Sequence, residues 1–440
     1  MCDVMKERII RSAVSLKDET IRLRRDFHKY PEGGFFEFRT AGVIIKYLQD
    51  LGYEVRYGKE VVDEDAILGI PDDDVLAAEK KRAISEGADP ELCDMLDRGK
   101  TAVVATLQGK RNGARKVVAF RFDIDSNEIY ESVKDSHFPM KHGFRSVHDG
   151  FAHACGHDGH TAIGLTLAQI LKEFENDFSG TIKLIFQPAE EGVRGAEAMV
   201  AAGVVDDVDY FFSGHLGLAA NKTGMLYAST GRFLCASKFD ASFIGKSAHA
   251  GNAPHEGNNA LLAAAQASLA LHAISRHGDG ASRVNVGVLN AGTSRNIIPD
   301  NAVVKFETRG ETEKINDYMI ERAKQIVSSS GDMYNVKTTI NCVGRARSFE
   351  AYDLNFASVI YDLANELGLF ENVSEYTDFN ASEDCTSFMT RVCERGGKAT
   401  YLLIGSNLAD KHHTPDFDFD EDSLTPSVAF YAMLALKFAN

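Results

Sequence analysis

Four short apolar runs stand out along the chain: Val117–Phe122 (VVAFRF), Ile182–Phe186 (IKLIF), Tyr210–Ser213 (YFFS) and Tyr401–Ile404 (YLLI). Nearly continuous apolar runs are typical of strands buried on both faces, as in parallel sheets. Between them the period changes to that of a helix, for example over Thr161–Phe174 (TAIGLTLAQILKEF). Two helices are predicted near the N-terminus. One covers about 17–28 and is stopped by Pro31; the other covers about 40–51 and ends at Gly52. Residues 61–99 are acidic, helix-compatible and poor in aromatics, and read as an insertion on this domain.

The pattern changes over 234–345. A strand (KFDASFIG), an Ala-rich helix over Asn258–His277, two strands (SRVNVGVL and AVVKFETR), a helix over about 312–328 and a strand (VKTTINCV) follow in turn. The order β-α-β-β-α-β is that of the ferredoxin-like split unit. The expected fold is therefore α/β: a mostly parallel sheet with helices on both faces, from residues 1–233 and 346–440. A small α+β domain, 234–345, is inserted between the two pieces.

Composition narrows the function classes. The net charge of −16 argues against nucleic acid or an anionic membrane as the main partner. The N-terminal segment mixes both charges and lacks the apolar stretch of a secretory signal. The most apolar run, Ala260–Ile274, is too short to span a bilayer. The seven cysteines are irregularly spaced and form no CxxC pair, which favours a reducing cytoplasm.

The chemistry lies at the strand ends, where open parallel sheets bind ligands. VVAFRF leads to Asp123 and Asp125, IKLIF to Glu190 and Glu191, YFFS to His215, and YLLI, a few residues on, to His412 and His413. A fifth group, His153-Ala-Cys155-Gly-His157-Asp158-Gly-His160, precedes the predicted helix. A lone His-x-His would read as a helix cap; five convergent groups read as a metal site. Thiolate, imidazole and carboxylate together suit zinc, manganese, iron or cobalt better than magnesium or calcium. The following helix N-terminus is expected to favour the Cys155 thiolate. Adjacent glutamates point apart, so one can bind metal while its neighbour holds an attacking water.

The motifs RRDFHKYPE (24–32), HACGHDGHT (153–161), IFQPAEEG (185–192), GKSAHAG (245–251) and HHTPDFDFDE (412–421) run nearly end to end. On them the chain resembles the dinuclear metallo-amidohydrolases and peptidases that include aminoacylases, hippurate hydrolase and glutamate carboxypeptidases. The resemblance implies a zinc-peptidase-like domain with an inserted dimerisation lid. It implies two divalent ions per chain, manganese ahead of zinc. Cys155 would bridge them, His157 and His215 would complete one ion, and Glu191 and His413 the other. Glu190 would be general base and acid. His249 would reach a partner's active site and hold the oxyanion, while Asn296 and Arg309 would bind the substrate carboxylate. Asp123 and Asp125 would orient histidines, with His153, Asp158, His160 and His412 as further groups of that kind.

The implied activity is cytoplasmic hydrolysis of the amide of an N-acyl or N-aroyl amino acid, p-aminobenzoyl-glutamate first. Other N-acyl amino acids or dipeptides are the alternative. A third reading is one component of a heteromer, inactive alone. The lid would pair with a second copy or with a related chain. One departure is local: the family's strand end continues Asp-Ala-Leu-Pro, whereas this chain has Ser126-Asn127-Glu128-Ile129. Residues 61–99 and 417–421 are expected to supply acidic surface away from the site.

Overall fold

In the computed structural model, which describes residues 3–440, the four apolar runs form the centre of one sheet. In spatial order they are Thr181–Gln187, Val117–Asp123, Tyr210–Leu216 and Lys398–Ile404, all parallel. Their carboxyl ends therefore share one edge. Val103–Gln108 and then Glu54–Tyr57 extend the sheet on one side, each antiparallel to its neighbour. Met225–Tyr227 runs antiparallel to Lys398–Ile404 on the other side, and Asn372–Ser374 closes that edge. The sheet is thus mixed, with eight strands and a parallel core.

The His157–Glu173 helix is buried along nearly its whole length. It packs on the Val117–Asp123 strand and under the Lys17–Lys29 and Leu424–Phe438 helices. Gly164 explains the close approach: a Cβ there would lie 2.7 Å from Phe122 and 2.8 Å from Phe186. The Leu424–Phe438 helix is apolar almost all round and buried, so no amphipathic stripe marked it in the sequence.

The chain divides into two units. One holds the residues up to Gly231 with Phe349–Phe379 and Ser387–Asn440; the other holds Arg232–Ser348 with Asn380–Thr386. The short 380–386 piece had no signal in the sequence. It is tied in by Leu234 N–H donating to Ala381 O at 2.9 Å and Thr386 Oγ1 donating to Arg347 O at 2.8 Å.

The second unit has a four-stranded antiparallel sheet in the order Lys337–Ala346, Cys235–Ile244, Asn301–Gly310, Ser282–Ala291. The Ala260–His272 and Glu313–Met333 helices share a core with it. The first helix stops five residues before the predicted His277, because Ile274 turns into the core. The second, capped by the Thr312 hydroxyl, runs past Ser328 because Val327, Ser330 and Gly331 stay buried. Among the described residues no helix is long and apolar enough to cross a membrane.

Candidate metal centre

Gly156 has φ +87°, so the helix starts at His157, four residues before the periodicity predicts. This puts His157 and His160 in its first turn and Cys155 just ahead of it. Each histidine is fixed in one tautomer by its hydrogen bonds. His157 Nδ1–H donates to the Asp125 carbonyl at 2.9 Å. Its Nε2 is buried without a hydrogen-bond partner. That atom lies 3.8 Å from Asp123, 3.9 Å from Glu190 and 3.8 Å from Glu191. His215 Nδ1–H donates to the Leu216 carbonyl at 2.7 Å, which leaves Nε2 to accept from the Cys155 thiol at 3.3 Å.

Several close groups of donor side chains result, and two of them share Cys155. Cys155, His157 and His215 form one, and Cys155, Glu191 and His413 the other; within each set the ligand atoms lie within 4.8 Å of one another. Cys155 is common to both. His413 Nε2 stands 3.3 Å from Glu191 Oε2. Burial pushes the His157 imidazole down, but Asp123, Asp125 and Glu191 carry it up to about 10, so the carboxylates around it call for positive charge and the donor set fits an ion.

The expected thiolate does not hold for the protein by itself. Burial, then Glu191, Glu190 and Asp123, push the Cys155 thiol well above its ordinary value. An ion bound there would therefore have to displace the thiol proton.

Other groups hold these donors in place. The Ala189 N–H donates to Glu37 at 2.9 Å and the Glu191 N–H to Asp125 Oδ2 at 3.0 Å, which pins the turn that presents both glutamates. Asp123 orients His160, accepting from its Nδ1–H at 2.6 Å. His160 Nε2 accepts from the Leu216 N–H at 3.0 Å, so both its nitrogens are used. His412 Nε2 meets the Leu216 carbonyl at 3.2 Å. His153 is buried, and neither ring nitrogen finds a partner. His413 has φ +62°, and its N–H bonds the Ala154 carbonyl at 2.8 Å, beside Cys155.

Sequence reading missed Arg24. It is fully buried between the Phe144 and Phe419 rings, 4.9 and 4.5 Å from their centroids. It donates to Asp158 at 2.9 Å, to Glu421 at 3.2 Å and to Asp418. The 417–421 segment is therefore not simply acidic surface. Phe417, Asp418 and Phe419 are buried, because Arg24 needs carboxylate partners in the interior.

A family model, peptidase family M20/M25/M40, matches residues 119–437. The chain belongs to that family. It is 46% identical to one of the chains of p-aminobenzoyl-glutamate hydrolase from Escherichia coli (strain K12), over 96% of this chain and 97% of that one. It is 45% identical to indole-3-acetyl-aspartic acid hydrolase of Enterobacter agglomerans, over 96% of each. The crystal structure of an aminobenzoyl-glutamate utilization protein from Klebsiella pneumoniae matches with a TM-score of 0.81 at 39% identity, covering 97% of each chain.

In this M20 chain the remaining expected site residues all lie in the second unit. His249 is exposed, and its Nδ1 accepts from the Gly251 and Asn252 N–H groups, both at 3.1 Å. Its proton is therefore on Nε2. His249 pairs with Ile297 in an isolated bridge, and the Ala250 N–H bonds the Asn296 carbonyl at 3.1 Å, so His249 and Asn296 are neighbours. Arg309 is apart from them. It pairs with Ala236, whereas Asn301 pairs with Ile244 at the other end of the same ladder. Eight residues of strand separate the two ends by about 26 Å. Arg309 is also held by Glu307, at 2.9 and 3.2 Å.

Proposed function

We propose that this chain is a dinuclear amidohydrolase that splits an aromatic acyl group from an acidic amino acid. p-Aminobenzoyl-glutamate, giving p-aminobenzoate and glutamate, is the first substrate. The observation that carries the reading is Cys155, shared by two donor sets beside Glu190. Cys155, His157 and His215 would hold one ion, and Cys155, Glu191 and His413 the other, manganese ahead of zinc. When bound, the ions supply positive charge that lowers the pKa of the attacking water and steadies the oxyanion. Glu190 holds the water, takes its proton as oxygen attacks the amide carbon, and returns it to nitrogen as the C–N bond breaks. Asp125 orients His157, and Asp123 keeps His160 out of the ligand set.

Both named hydrolases carry an aromatic acyl group and an acidic amino acid in their names, which supports the substrate class. We assign the oxyanion contact to His249 Nε2–H and the carboxylate contacts to Asn296 and Arg309. Arg309 lies about 26 Å of strand from Asn301, at the end of the ladder away from His249 and Asn296, which supports a paired lid, since one substrate meets both ends only if they come from two chains. Leu262, Leu269, Val288 and Leu289 are exposed along one helix and the edge strand of that unit, which also supports pairing. A homodimer is the first reading. A heteromer is the second, because the Escherichia coli relative is named as one component of its hydrolase. The described cysteines form no disulfide, which suits a cytoplasmic protein.

The test compares p-aminobenzoyl-glutamate, indole-3-acetyl-aspartate, hippurate and dipeptides by kcat/KM on the purified chain. Glu190→Gln should keep its metal and lose about 10² to 10⁴ in kcat. Near-wild-type turnover would remove Glu190 as the base.

A further inference from the structure

A cavity of about 290 Å³ opens beside Glu191, lined also by Gly34, Ser126, Asn127, Ile129 and Arg194. Its volume is near the lower end for small-ligand pockets, about 300 Å³. Arg194 is unusual in this protein. Its Nη1 donates to the Gly69 carbonyl at 3.0 Å and its Nη2 to the Gly34 carbonyl at 3.4 Å, and its guanidinium lies 4.9 Å from the Phe35 ring centroid. Its Nε is buried without a partner. Arg24 meets three carboxylates and Arg121 meets Asp123. Arg194 is half-buried and ion-pairs with no carboxylate among the described residues. A half-buried cation held only by carbonyls is poorly compensated.

Two glycines clear space for this side chain. A Cβ at Gly192 would lie 2.1 Å from Arg194 Nε, and one at Gly34 would lie 2.6 Å from Nη2. Neither glycine has a positive φ, so the requirement is room and not backbone freedom. The turn is also strained: Ala189 and Val193 have φ +54° and +52°. The Ser126 hydroxyl, buried and also without a partner, lines the same cavity. It belongs to the loop where this chain departs from Asp-Ala-Leu-Pro. Of the lining acids, Glu191 faces His413 and Glu128 is exposed.

We propose that Arg194, assisted by Ser126, selects substrates whose amino-acid portion carries a second, side-chain carboxylate. The proposal rests on the reading above that acidic amino-acid conjugates are the substrates. A planar guanidinium offers a carboxylate two parallel hydrogen bonds with charge. A side-chain amide at the same place presents one acceptor and no charge. The acyl group is the other candidate occupant of this cavity, and the choice of substrates separates the two.

The test uses metal-loaded wild type, Arg194→Gln and Arg194→Lys with p-aminobenzoyl-glutamate and p-aminobenzoyl-glutamine, which share one acyl group. Arg194→Gln should lower kcat/KM for the glutamate conjugate about 10- to 100-fold. The glutamine conjugate should hold within about 3-fold, and Arg194→Lys should fall between. Equal losses on both conjugates place the acyl group at Arg194 and overturn the proposal, as does no loss on either. Calorimetric titration with free L-glutamate and L-glutamine gives a readout independent of turnover. If wild type cleaves neither conjugate, the functional reading fails and this titration decides. A glutamate preference abolished in Arg194→Gln supports the carboxylate subsite; no preference, or one that survives, overturns it.

Discussion

Replacement of Arg24 by methionine removes a buried charge while keeping much of its apolar volume between Phe144 and Phe419. Three carboxylates lose Arg24 at once: Asp158 and Asp418, both buried, and Glu421, which keeps Arg25 at 2.6 Å. Asp158 keeps His28 at 2.8 Å and the Gly159 N–H at 2.9 Å, so part of its compensation survives. Removing one partner of a buried ion pair costs about 3–5 kcal/mol. The first unit has roughly 300 residues, for which the melting entropy is about 0.6 kcal/mol/K. A loss of about 4 kcal/mol then lowers its thermal midpoint by about 7 °C. The assay is calorimetric melting of wild type, Arg24→Met, Asp418→Asn and the double variant. In wild type Asp418→Asn should destabilise; in the Arg24→Met background it should be neutral or stabilising, because it removes an orphaned charge. The coupling should reach about 0.5–3 kcal/mol. A midpoint within about 1 °C of wild type for Arg24→Met, or additive effects in the double variant, would refute the network.

Cys155→Ala should reduce bound metal from two ions per chain to one or none by elemental analysis; a count that stays at two removes the bridge. His28 gives a pH prediction. It lies between Asp158 at 2.8 Å and Glu131 at 2.9 Å, with Arg24 and His153 also nearby. Burial and Arg24 push its imidazole down, but the hydrogen bonds to Asp158 and Glu131 carry it up to about 9. The folded value lies above the unfolded 6.5, so the stabilisation is complete below pH 6.5 and lost as pH rises through 9. Melting from pH 6 to 10 should show wild type losing an advantage of about 3 kcal/mol over His28→Gln; parallel curves would contradict this. Leu269, 73% exposed on the Ala260–His272 helix, should be covered in the dimer. Leu269→Glu should shift sedimentation from two chains to one, and an unchanged assembly would exclude that face.

Much of the candidate metal centre was legible because it is written locally. A strand buried on both faces has to be apolar throughout, so the four central strands were visible as runs. In a parallel sheet the residues after such runs must share an edge, which brings Asp123, Glu190, Glu191 and His215 together. The start of the His157–Glu173 helix was less legible. Its first turn is spent on polar residues that serve the site, and these carry no apolar period. The Leu424–Phe438 helix was hidden for the opposite reason, being apolar on every side.

The sequence by itself determined the α/β plan and the inserted β-α-β-β-α-β segment, and marked the candidate donor residues, since strand burial and side-chain chemistry are local properties. Tertiary structure decided what depends on pairs distant in the chain. Arg24 meets Asp418 and Glu421 across nearly 400 positions. Glu37 holds the backbone of Ala189, and Gly34 with Gly192 makes room for Arg194. It also closed Glu307 on Arg309 and put that arginine at the far end of the sheet from His249. A charge in a sequence has no address until the fold brings its counter-charge, or leaves it without one.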